Sequence, residues 1–120
     1  MQFLAHSKSL QATLSALLLS FGLFGVTPNA LAAEPEVLLV IKNHRFEPNV
    51  VKVPANQRVR LIVHNQDDTP EEFESHALNR EKVVPAKGKV VIFIGPLKPG
   101  KYEFFGEYNE ATAKGVVVAE

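Results

Sequence analysis

The stretch Lys98-Pro99-Gly100-Lys101-Tyr102-Glu103-Phe104-Phe105-Gly106-Glu107-Tyr108-Asn109-Glu110-Ala111-Thr112-Ala113-Lys114-Gly115 decides how this chain is read. Pro99-Gly100 is a turn signal, and the aromatics that follow it alternate, with Tyr102 and Phe104 sharing one face of a strand. A polar loop runs from Glu107, and Val116-Val117-Val118 supplies a last apolar strand. The chain contains no cysteine, and its single methionine is Met1. Disulfides and thiolate metal ligands are therefore excluded outright.

Outward from this segment, the N-terminus reads differently from the rest. His6 and Lys8 make a weakly basic start, Leu10 to Val26 is an apolar run, and Ala30-Leu31-Ala32 has the small-x-small pattern of a signal-peptidase site. The run is short for a membrane span and is followed by that cleavage pattern, so residues 1–32 are expected to be a cleavable signal peptide. Export to the periplasm follows, with no membrane span in the mature chain. Cleavage there leaves 88 of the 120 residues, one domain over 33–120, with 12 basic and 13 acidic side chains. Lys and Arg are scattered and form no stripe, which argues against nucleic acid as a partner. A domain this small without disulfides must be held by its sheet core, helped by any bound ion. A monomer is the default expectation.

Short apolar runs separated by turn signals predict an all-β sandwich. Glu36 to Lys42 reads as a strand buried on both faces, and Asn43 to Pro48 as a turn. Val50 to Val53 is a short strand closed by Pro54-Ala55-Asn56, where Asn56 tolerates a positive φ. From Arg58 to Asn65 the residues alternate, with Val59, Leu61 and Val63 on one face. Gln66 to Arg80 reads as a long, polar, acidic loop of the kind that often carries function. Lys89 to Ile94 is a further strand. Within the acidic stretch, alternation puts Glu72 and Glu74 on one face around Phe73 and Glu71 on the other. Should the loop after Gly106 lie beside this stretch, these carboxylates meet Glu107 or Glu110 in a hard-oxygen site suited to iron, manganese, calcium or magnesium. His76 directly follows the acidic run and is the best placed imidazole. His44 in its turn and His64 on its strand are weaker candidates. Ser75-His76 has no nucleophile elbow around it, and no catalytic residue is assigned.

The Pro99-Gly100 strand, the loop after it and the final strand resemble the ligand-bearing end of the cupredoxins. The resemblance places Gly106 where the copper cysteine would be, Asn109 near a copper histidine and Ala113 at the axial methionine. A carboxylate of the Glu71–Glu74 run stands in for the other imidazole. The resemblance implies a cupredoxin-like Greek-key β-sandwich, expected here without a type 1 copper centre. Four further motifs resemble the EfeO-type, iron-permease-associated periplasmic cupredoxin-like proteins: Thr69-Pro70-Glu71-Glu72-Phe73-Glu74-Ser75, Glu81-Lys82-Val83, Gly95 to Gly100 and Phe104-Phe105-Gly106-Glu107. That branch is expected to carry histidine where Asn109 stands. The resemblance implies an accessory of ferrous-iron uptake, holding an iron or copper ion through Glu71, Glu72, Glu74, Glu107 and His76. An iron permease and its periplasmic components would be the partners. The alternative is a metal-free interaction domain that docks through the same acidic end, and ferroxidase or electron-transfer activity is a weaker expectation.

Overall fold

The computed structural model describes residues 33–120 together with Gly22, Phe24 and Gly25. The expected signal peptide, residues 1–32, otherwise lies outside the described residues. Nine strands follow in order: β1 Glu36–Lys42, β2 Arg45–Glu47, β3 Val50–Val53, β4 Val59–Asn65, β5 Glu71–Ser75, β6 Arg80–Val84, β7 Lys89–Ile94, β8 Gly100–Gly106 and β9 Lys114–Ala119. One turn of 3-10 helix, Glu107–Asn109, separates β8 from β9. The strands form two sheets, ordered β2-β1-β4-β7 and β3-β9-β8-β5-β6. The predicted all-β sandwich is what the chain builds. Among the described residues, no helix is long and apolar enough to cross a membrane.

The inner faces follow the period-two pattern of the sequence. Val59, Leu61 and Val63 are buried from β4, Leu39 and Ile41 from β1, and Ile92 and Ile94 from β7. At the centre, Phe104 stacks on Phe73 with centroids 5.2 Å apart, and Phe46 meets Phe104 edge-on at 4.9 Å. Gly115 faces this cluster across the β8–β9 ladder. A Cβ there would lie 2.3 Å from Cζ of Phe104, so the glycine is required for close approach.

Three local expectations need correction. β1 is buried on one face only: Leu38 is 55 % exposed, because the sandwich has two layers and none of the described residues covers its outer side. The apolar run therefore reflects β-propensity as well as burial. The Asn43–Pro48 turn is in fact a hairpin, in which Asn43 and His44 at φ 51° and 56° form the two-residue turn and Arg45–Glu47 returns as β2. The Asp67 carboxylate holds that turn, accepting from the N–H groups of Asn43 (2.7 Å) and His44 (2.9 Å).

The third correction matters most for function. The polar run from Gln66 to Arg80 contains β5, and β6 begins at Arg80. Buried Asn65 sets the start of β5: its side chain donates to the carbonyls of Thr69 (2.8 Å) and Val84 (3.3 Å) and accepts from the N–H of Asp67. At the other end, the Ser75 hydroxyl donates to the carbonyl of Glu103 at 2.6 Å and accepts from the N–H of Leu78. β5 is thus fixed at both ends, with β6 on one side and β8 on the other.

Candidate metal centre

β5 divides its glutamates between two environments. Glu71, Phe73 and Ser75 point into the sandwich and are almost fully buried, whereas Glu72 and Glu74 point out from the five-stranded sheet. As alternation predicts, Glu71, which the resemblance groups with Glu72 and Glu74 as a ligand, sits on the opposite side of the strand from them.

On the inner side, the positions matched to copper ligands converge at the end of the sandwich. Glu71 Oε1 accepts from the N–H groups of Tyr108 (2.9 Å) and Glu72 (3.0 Å), and Oε2 accepts from the Asn109 side-chain amide at 2.7 Å. Gly106 donates its N–H to the carbonyl of Ala113. A Cβ on Gly106 would lie 2.6 Å from Cδ of Glu71 and 2.7 Å from Cβ of Ala113. The φ of Gly106 is −94°, open to any residue, so what demands glycine here is space. Glu71 fills the room that a cysteine side chain would need, and Asn109 closes the network as a donor. This is a sealed, hydrogen-bonded plug, with one carboxylate and no imidazole or sulfur. It cannot hold type 1 copper.

On the outer side, Glu72, Glu74, Glu81 and Glu107 each place a carboxylate oxygen within 4.8 Å of all the others. Glu81 stands directly opposite Glu74 in the β5–β6 register. Glu107 opens the 3-10 helix just after β8. Glu74 Oε2 is shielded from solvent and has no hydrogen-bond partner among the described residues. A buried carboxylate oxygen facing other carboxylates is costly unless a cation or proton offsets it. The proton effect is visible at Glu72, pushed up to about 7 by hydrogen bonding to Glu81, then by burial, then by the charge of Glu107. Burial, followed by the charge of Glu72, also raises the neighbouring Tyr108 phenol.

Of the residues singled out from the sequence, the structure brings together Glu72, Glu74 and Glu107. Glu71 belongs to the inner plug. His76 is 83 % exposed, with Nδ1 3.8 Å from Glu74 Oε1, and stands at the margin of the group. Glu110 is exposed in the following loop and is not one of the four. His44 lies by Asp67, its Nδ1 3.6 Å from Oδ2, and His64 pairs with Lys89 on the other sheet. Sequence reasoning missed Glu81 as a member of this group. Its motif was visible, but only the pairing of β5 with β6 reveals which glutamate it faces.

A family model described as a cupredoxin-like domain matches residues 15–119. The chain belongs to the cupredoxin-like domain family. A curated relative, an uncharacterized protein of Rickettsia prowazekii (strain Madrid E), is 53 % identical over 83 residues, covering 69 % of this chain and 66 % of that protein. The chain thus spans just under two thirds of that relative's length. Among solved structures, auracyanin A, a blue copper protein of Chloroflexus aurantiacus, superposes with a TM-score of 0.62 at 12 % identity, over 71 % of this chain and 98 % of its own. The metal-binding domain of the Cu(I)-exporting ATPase CopA of Streptococcus pneumoniae D39 gives 0.61 at 13 % identity, over 71 % and 84 %. At such identities these likenesses establish the cupredoxin-like fold, and the fold alone.

The raised Glu72 has a consequence for stability. The folded chain binds this proton more tightly than the unfolded chain, whose ordinary value is 4.5. The stability conferred is fully present below about pH 4.5 and is lost as the pH rises through about 7. In metal-free protein, Glu72→Gln is therefore expected to gain thermal stability relative to the natural chain as the pH is raised across that window. Melting curves of both proteins at several pH values check this, and a difference that stays constant with pH would refute it.

Proposed function

We propose that this protein is a periplasmic, cupredoxin-like accessory of bacterial iron uptake that holds an iron ion on the outer face of its five-stranded sheet. Glu72, Glu74, Glu81 and Glu107 are the ligands. The observation that carries the reading is the convergence of these four oxygens within 4.8 Å, with one oxygen of Glu74 shielded and without a partner among the described residues. An all-oxygen donor set favours hard cations over the cuprous ion, and the chain has no thiolate to offer. The iron assignment and an iron permease as partner draw on the resemblance to iron-permease-associated proteins. Export rests on the leader pattern of residues 1–32.

Calorimetry with Fe²⁺ under anaerobic conditions, and with Mn²⁺, Ca²⁺ and Cu²⁺, tests the reading. One ion per chain is expected, and each Glu→Gln change among the four should weaken it about tenfold or more, equivalent to ~1.4 kcal/mol per step. Because Glu72 must give up its proton, affinity should also fall as the solution is acidified below about pH 7. Unchanged binding in a Glu74→Gln, Glu81→Gln double variant would remove this cluster from consideration.

A further inference from the structure

Beside the carboxylate group, the outer face of the five-stranded sheet has an open groove of about 650 Å³. It is lined by half-buried Phe105, by Gly115, and by exposed Glu103, Glu110 and Ala111. Lys114 is the only cation among the lining residues. The groove and the cluster are continuous, since Phe105 sits opposite Glu74 across β5 and β8 and opposite Lys114 across β8 and β9. The His76 ring flanks Phe105 at 5.7 Å between centroids.

An aromatic ring beside two exposed carboxylates suits an organic cation. The ring face attracts a Lys ammonium or Arg guanidinium, and the flanking glutamates pair with it. The four glutamates next door extend the negative field along the same sheet face. We propose that this groove is a docking site for an extended, Lys- or Arg-bearing segment of a partner protein, with one cationic side chain seated on Phe105 between Glu103 and Glu110. The charge complementarity does not require an ion in the neighbouring cluster, so the inference stands apart from metal binding.

The test uses the full mature chain in the presence of chelator, with a synthetic peptide of alternating lysine and threonine as probe and its glutamine-for-lysine analogue as control. Backbone amide shifts are expected to change at Glu103–Phe105 and Glu110–Gly115, with affinity falling as salt is raised. Glu103→Gln combined with Glu110→Gln should weaken binding about threefold to tenfold. Phe105→Ala, which alters no charge, should weaken it about threefold or more. Phe105→Leu, which keeps most of the volume, should do the same and guards against a folding defect. Equal binding of the neutral analogue, or shifts spread over every acidic surface with both Phe105 variants at full affinity, would overturn the proposal. Metal binding by the cluster would be untouched by that result.

Discussion

Replacing Glu71 with alanine is expected to bring this domain close to unfolding, while Glu71→Gln leaves it nearly intact. The alanine removes the acceptor of the buried Glu72 N–H and of the half-buried Tyr108 N–H and Asn109 side-chain amide. An orphaned buried donor costs about 1–3 kcal/mol and the two half-buried donors, which water can reach, cost less, so a total of roughly 2–4 kcal/mol is expected. That is a large share of the ~5–15 kcal/mol that holds a typical domain together. Glutamine keeps the shape. Its oxygen can accept from the two backbone N–H groups, and its amide can donate to Asn109 once the Asn109 side chain turns its own oxygen inward. Urea denaturation of the two variants measures both effects. A glutamine variant as unstable as the alanine one would mean that the negative charge, and not the hydrogen-bond geometry, holds the plug.

The second large effect concerns colour. If the inner plug occupies a copper site whose frame is otherwise intact, restoring all four side chains together should restore the chemistry. A quadruple variant, Glu71→His, Gly106→Cys, Asn109→His and Ala113→Met, is expected to bind Cu²⁺ and show the intense charge transfer of a thiolate–copper bond, from a starting level of zero. Gly106→Cys alone should do no such thing. Its Cβ would meet Glu71 at 2.6 Å, an overlap expected to cost about 1–3 kcal/mol, and the thiolate would find no imidazole. The substitutions are thus coupled, because Glu71 has to leave before a side chain can enter at position 106. Visible absorption on adding copper, with far-UV circular dichroism to establish folding, decides the matter. A folded but colourless quadruple variant would show that the two loops no longer present these positions to one point.

These two effects and the outer cluster share one cause, the two-sided character of β5. On its inner side, a carboxylate is packed against two small residues, Gly106 and Ala113, that make room for it. On its outer side, the next two glutamates are turned toward β6 and toward the start of the 3-10 helix. Any ion this protein binds through Glu72 and Glu74 is therefore held on the outer face of the sheet, away from the Glu71 side of β5.

Much of the architecture was legible from the residues alone. Alternation in Val59-Arg60-Leu61-Ile62-Val63 and in Tyr102-Glu103-Phe104 marks the strands because side chains on a pleated chain must face opposite ways. The absence of cysteine forbids blue copper in any fold. The hairpin at Asn43-His44 and the extents and pairing of β5 and β6 were not legible, although the alternation within Glu71–Glu74 was. Their turn and strand residues are polar, and their geometry is fixed by distant groups, Asp67 in one case and Asn65 in the other.

The chain order of the glutamates determined that hard oxygen ligands were available and that Glu72 and Glu74 would share a face. It could not say that Glu81 would complete the group or that Glu71 would be withdrawn into the interior. Those outcomes depend on strand register and on which face of β5 meets the core, and both are set by contacts between residues far apart in sequence. The chemistry on offer belongs to the side chains. Which of them can act on the same ion is decided by the packing of two sheets.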